Sequence, residues 1–199
     1  NRREDVWCER VYSPWHDLDK VMREQKIPLF ALESQDPIKD FDFLGITIQF
    51  EMCYTNILQI LDLSQIPLHA KDRTLDDPFV IGGGPCTYNP EPIAEFFDIF
   101  YIGEGETAYD ELLDAYKEWK GSGKSRREFL ERAAQIEGLY VPIFYDAEYN
   151  EDGTLNYKKS EVVKLSKKAQ AKKAEEEARK AEEAAQAAEA PAEEAPVEA

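Results

Sequence analysis

Phe79-Val80-Ile81-Gly82-Gly83-Gly84-Pro85-Cys86 is the stretch that decides the fold. Three large apolar residues without a polar interruption, stopped by three glycines and a proline, predict a buried strand ending abruptly in a loop. About twenty residues later the pattern returns: Ile99-Phe100-Tyr101-Ile102 runs into Gly103-Glu104-Gly105-Glu106 and then a helical stripe. Two such strands describe one edge of an open α/β sheet. Ligands of these sheets bind outside the carboxyl ends of the strands. Gly82, Gly83, Gly84, Gly103, Glu104, Gly105 and Glu106 are therefore candidate ligand-binding residues. A tight strand-to-helix turn explains the same glycines without a ligand, and Glu106 also suits the first turn of a helix through the macrodipole.

Working outward, Phe43 to Phe50 reads as a third strand, near-continuously apolar around Ile46 and Ile48. Thr47 and Gln49 lie toward its end. They are candidate hydrogen-bond donors to a bound cofactor tail, or else caps of the next helix. Leu18, Val21 and Met22, then Tyr54, Ile57, Leu58 and Leu61, then Tyr109, Leu112, Leu113 and Tyr116 carry the spacing of amphipathic helices. Ser125-Arg126-Arg127-Glu128 is a capping box that opens another helix. Val6 to Tyr12 and, more briefly, Leu29 to Leu32 read as further strands, and Asn89-Pro90 as the start of a short helix. Leu139 to Tyr149 and Thr154 to Lys159 predict a hairpin. Alternating strands and helices predict a doubly wound parallel sheet of the flavodoxin-like, Rossmann-type class. Such a sheet normally has a central strand before Val6–Tyr12. The expectation is a fold lacking its first strand and helix, with an exposed flank where that strand belongs.

The sequence divides into a body, residues 1–160, and a low-complexity Ala/Glu/Lys tail, residues 161–199, expected to be helical or disordered. Net charge is −17. The tail's 7 basic and 10 acidic residues contribute −3 and leave −14 on the body. With no basic cluster beside exposed aromatics, a nucleic-acid partner is not expected. No apolar run is long enough to span a bilayer. Cys8, Cys53 and Cys86 are widely spaced, without the pattern of a zinc or iron–sulfur site. Free thiols fit a cytoplasmic location. Cys86 has no neighbouring base or cation in sequence to activate it, and His16 and His69 read as ordinary surface histidines. GxxxxGK, GxSxG and HExxH are all absent from the sequence.

Several runs together resemble a known family. They are Trp7-Cys8-Glu9-Arg10-Val11-Tyr12-Ser13-Pro14-Trp15, Pro28-Leu29-Phe30-Ala31-Leu32-Glu33-Ser34, Gln49-Phe50-Glu51-Met52-Cys53-Tyr54-Thr55-Asn56 and the two glycine loops. The resemblance is to the N-terminal, cobalamin-binding-like domain of a family of radical S-adenosylmethionine proteins, over roughly residues 1–157. It implies a flavodoxin-like fold with cobalamin over the carboxyl edge, the glycines letting backbone approach the cofactor's nucleotide tail. In full-length relatives it implies a following radical domain, whose CxxxCxxC cysteines hold a [4Fe–4S] cluster that acts on S-adenosylmethionine. This sequence departs from the pattern near Tyr157 and contains neither those cysteines nor the DxHxxG loop that supplies a cobalt-ligating histidine. The expectation is an accessory cofactor- or partner-binding domain, not catalytic alone, whose partner is a radical catalytic domain. The alternative is a degenerate interaction domain that binds no cofactor.

Overall fold

The computed structural model describes residues 3–103, 105–151 and 154–159. At its centre is a four-stranded sheet ordered β1 (Phe43–Thr47), β2 (Phe79–Gly83), β3 (Ile99–Tyr101) and β4 (Leu139–Tyr140). The first three strands are parallel, and β4 joins β3 antiparallel. The strands alternate their side chains between two cores, as period-two geometry requires. Val80, Leu44 and Phe100 point to one face, where Met22 of α1 (His16–Gln25) and Ile57 and Leu61 of α2 (Tyr54–Leu63) cover them. Phe79, Ile81, Ile99 and Tyr101 point to the other. There they meet Leu112 and Tyr116 of α3 (Gly105–Trp119) and Phe129 of α4 (Arg126–Ala133). Helices on both faces of a mostly parallel sheet make this a flavodoxin-like α/β fold. The predicted hairpin is present as β5 (Tyr145–Tyr149) and β6 (Leu155–Lys159).

The amino end of the sheet is tied by buried charge. Asp98, immediately before β3, is 1% exposed at its side chain. Its Oδ2 accepts from Arg73 at 2.7 Å, from Arg126 at 3.0 Å and from the Val80 backbone N–H at 2.8 Å. Arg73 also donates to the carbonyls of Pro67, Leu68 and Phe96. Burial pulls its pKa down, against the opposing attraction of Asp98. Arg126 donates to the carbonyls of Thr74, Asp77 and Pro78, and its guanidinium lies 3.8 Å from the Phe79 ring centroid. One carboxylate thus joins the loop before β2, the strand β2 itself and the start of α4.

Several predicted elements differ. Val6–Tyr12 is not a strand: the Arg10 carbonyl accepts from Leu32 and Arg10 N–H donates to Glu33, but no ladder forms. Strand identity needs a ladder, and among the described residues this segment's one backbone–backbone bond is that from Leu32 to Arg10. Leu29–Leu32 contributes only an isolated bridge, Phe30 to Pro37. The helix expected after Asn89 is a 3₁₀ segment, Glu91–Phe96, with Pro90 at its N-cap and Pro92 in its first turn. Leu139–Tyr140 leaves the hairpin to become β4. The predicted tail, residues 161–199, lies outside the described residues.

Candidate functional site at the carboxyl edge of the sheet

Because β1, β2 and β3 run parallel, the loops that follow them share one edge. The two glycine loops are neighbours there, after β2 and β3. The loop after β1 is stitched to the one after β2: Ile48 N–H donates to Gly83 O at 2.7 Å, and Cys86 N–H donates back to Ile48 O at 3.1 Å. Gly84 makes this stitching possible. Its φ is +99°, and a Cβ at that position would sit 2.9 Å from the Ile48 carbonyl oxygen. Only glycine combines that backbone conformation with that approach. Thr87 fixes the loop from below, its hydroxyl donating to Gly84 O at 2.7 Å.

The candidate residues separate by position. Gly82 is buried within β2, and a Cβ there would come 2.6 Å from the Phe100 ring. Its missing side chain makes room for Phe100. Gly83 is open, with nothing within 4 Å of a built Cβ. Gly103, at φ +123°, is exposed just beyond β3. Gly105 opens α3 beneath the Tyr109 ring, and Glu106 is the next residue of that helix. Glu104 lies outside the described residues. Thr47 ends β1 and Gln49 follows two residues later; both are exposed. Neither side chain has a hydrogen-bond partner among the described residues, and α2 has no side-chain cap.

Sequence reading missed two features of this edge. One is Thr87, readable in retrospect as a hydroxyl three residues beyond a loop glycine. The other is a group of exposed apolar side chains in the same loops: Phe50 at 54% exposure, Met52 at 85% and Tyr88 at 83%. Their signal is the presence of aromatics and methionine directly after strands, where loop residues are usually polar.

The half-buried Cys86 thiol has its pKa raised by burial, and further by Glu51 and Cys53, so it stays protonated at neutral pH. A nucleophilic cysteine needs the opposite shift. Among the described residues no group of His, Cys, Asp and Glu is placed to hold a metal ion. Both histidines are elsewhere. His16 opens α1 beside Trp15, and His69 precedes β2, with its Nδ1 3.2 Å from Glu95. Neither histidine of this chain lies among the loops of that edge.

The sequence profile of the family described as radical SAM proteins, N-terminal, matches residues 1–142. The chain belongs to that family. It is also 39% identical over 104 residues to an uncharacterized protein of Methanocaldococcus jannaschii; the match covers 51% of this chain and 21% of that protein. The chain thus spans about a fifth of that relative's length. No solved structure matches it.

Proposed function

We propose that this chain is a non-catalytic binding domain of a radical S-adenosylmethionine protein, and that its carboxyl edge docks the catalytic domain. The observation carrying this reading is the group Phe50, Met52 and Tyr88, three large apolar side chains exposed on the loops of a single sheet edge. Exposed apolar side chains gathered in one place mark interaction surfaces. The edge otherwise offers backbone and the unpartnered Thr47 and Gln49, with no activated nucleophile and no metal-ligand group among the described residues. The compartment that suits three free cysteines is the cytoplasm.

The glycine cradle favours a second reading, in which the same edge holds the nucleotide tail of cobalamin through main-chain contacts. A domain without a cobalt-ligating histidine then binds the cofactor weakly. Two titrations separate the readings. Hydroxocobalamin, followed by absorbance, should bind weakly and without a histidine-ligated spectrum. The separately produced radical domain of a family member should form a complex that Met52→Asp and Tyr88→Asp weaken. Tight cobalamin binding with a histidine-ligated spectrum, lost in His16→Ala or His69→Ala, would overturn the first reading. S-adenosylmethionine cleavage by this chain alone would overturn both.

A further inference from the structure

A cavity of about 270 Å³ opens beside the start of β3, and neither glycine loop, nor Thr47, Gln49, Phe50, Met52 or Tyr88, lines it. Its lining is mainly apolar and includes the buried Phe97 and Leu130. Tyr140 and Tyr145 line it too, with ring centroids 4.7 Å apart. The polar lining residues come from three places in the chain. His69 and Lys71 belong to the 3₁₀ turn before β2, Glu91 and Glu95 to the 3₁₀ segment Glu91–Phe96, and Asp98 immediately precedes β3.

Asp98 has an unfilled hydrogen-bonding position. Arg73, Arg126 and the Val80 N–H all donate to Oδ2. Oδ1 is buried and has no hydrogen-bond partner among the described residues. A carboxylate oxygen withdrawn from water without a donor is costly, and folded proteins rarely leave one so. His69 Nδ1 is also buried, 3.2 Å from Glu95 Oε2 but making no hydrogen bond. A few polar atoms awaiting partners within apolar walls are the features of a small-molecule site. Waters alone fit less well, because each wants about three hydrogen bonds, more than this lining supplies. The surroundings also select charge. Two guanidiniums already lie 2.7 and 3.0 Å from Oδ2, so a cation at Oδ1 would be a third positive charge on one carboxylate. Glu91 and Glu95 oppose an anion.

We propose that this cavity binds a small, uncharged aromatic amide, with its N–H donated to Asp98 Oδ1 and its ring against Phe97, Leu130, Tyr140 and Tyr145. Size sets the upper bound. At about 30 Å³ per water in the liquid, the cavity has room for roughly nine non-hydrogen atoms. A carboxamide brings a donor for Oδ1 and, beside it, a carbonyl that can accept from Lys71 or, in its Nδ1-protonated tautomer, from His69. Asp98 then has two tasks on two oxygens: Oδ2 ties the amino end of the sheet, and Oδ1 holds the ligand. This inference does not depend on the reading of the carboxyl edge.

Benzamide and acetophenone, which carries a methyl in place of the amide NH₂ at the same size, test it on the full chain. Followed through backbone amide shifts by NMR, benzamide should saturate in the millimolar range, with shifts centred on Ala94, Phe97 and Leu130. Acetophenone should bind at least about tenfold more weakly, the effect of losing a hydrogen bond to a charged group. Benzylammonium should also bind more weakly than benzamide. Ala94→Leu adds bulk to the lining without touching Asp98's partners and should abolish benzamide binding. If that variant fails to fold, benzamide against acetophenone decides the matter on the unaltered protein. Equal affinities for those two would overturn the proposal, because Oδ1 would then make no bond to the ligand. Benzamide shifts that stay linear up to its solubility would overturn it and leave the cavity to water. Tighter binding of benzylammonium would overturn it as well, making the site one for cations.

Discussion

The two ends of the parallel sheet are built from opposite materials. The amino end is held by side chains carrying full charge, with Asp98 and Arg73 almost completely buried and Arg126 nearly so. The carboxyl end is held by main chain, through the Ile48–Gly83 and Ile48–Cys86 bonds, and presents glycine, Thr47 and Gln49 to solvent. A buried ion network has a steep cost of disruption and fixes elements distant in sequence. A glycine loop holds its shape through local backbone geometry and leaves its surface free. The charge network thus lies at one end of the sheet and the exposed, unpartnered polar side chains at the other.

The largest test of this division is Asp98→Ala. It leaves the guanidiniums of Arg73 and Arg126 buried without their carboxylate and removes the acceptor of Val80 N–H. The expected loss is about 3–5 kcal/mol, a large share of the roughly 5–15 kcal/mol that holds a domain together. A denaturant melt measures it. A loss below about 1 kcal/mol, the scale of an exposed pair, would remove the distinction between the ends.

Gly82→Ala and Gly83→Ala locate the boundary where packing gives way to the open edge. Alanine at Gly82 drives a methyl into Phe100 and should cost about 1–3 kcal/mol, as overpacking does. At Gly83 there is space for the methyl, so the change should stay within about 0.5 kcal/mol. Equal losses at the two adjacent positions would contradict the boundary.

The start of α4 belongs to the amino end and should respond to acid. Ser125 and Glu128 form a reciprocal cap: Glu128 N–H donates to the Ser125 hydroxyl, and the Glu128 carboxylate accepts from Ser125 N–H. That backbone hydrogen bond, followed by the one from the Ser125 hydroxyl, lowers the Glu128 pKa. A lowered carboxylate pKa contributes stability above its unfolded value, and that contribution is lost as pH falls through the folded value. Melts taken from pH 5 downward, across the ordinary glutamate value of about 4.3, should show this loss. Ser125→Ala should cost about 1 kcal/mol at neutral pH and remove only the smaller, hydroxyl share of that acid loss, because alanine keeps the backbone N–H.

Sequence legibility follows the range of the interactions involved. The strands β2 and β3 were readable because an apolar run ending in glycine is a local signal, and the Ser125 cap because its residues are three apart. The amino-end network was not readable. Arg73 and Arg126 lie 25 and 28 residues from Asp98, and nothing in their local sequence marks them as buried. Val6–Tyr12 was misread because apolar content suits a strand, while strand formation depends on a pairing partner from elsewhere. The candidate edge was legible in its glycines and not in its division of labour. Composition cannot distinguish Gly82, which makes room for a ring, from Gly84, which adopts a left-handed backbone against Ile48.

The smallest structural effect should accompany a clear functional one. Thr47 and Gln49 are exposed, make no side-chain hydrogen bond among the described residues and do not cap α2. Removing both side chains as Thr47→Ala and Gln49→Ala takes nothing from the core and strands no buried partner. The melt should therefore move by no more than about 0.5 kcal/mol per site. Polar groups without internal partners at a ligand edge are free to bond whatever docks there, and each such bond contributes roughly 0.5–1.5 kcal/mol. The double variant should weaken the complex with the radical domain by a few-fold to tenfold for each bond lost, while Asp98→Asn, where it remains folded, should leave that affinity unchanged. A destabilised double variant with unaltered binding would reverse the roles of the two ends, because the carboxyl edge would then be holding the fold together instead of presenting a surface.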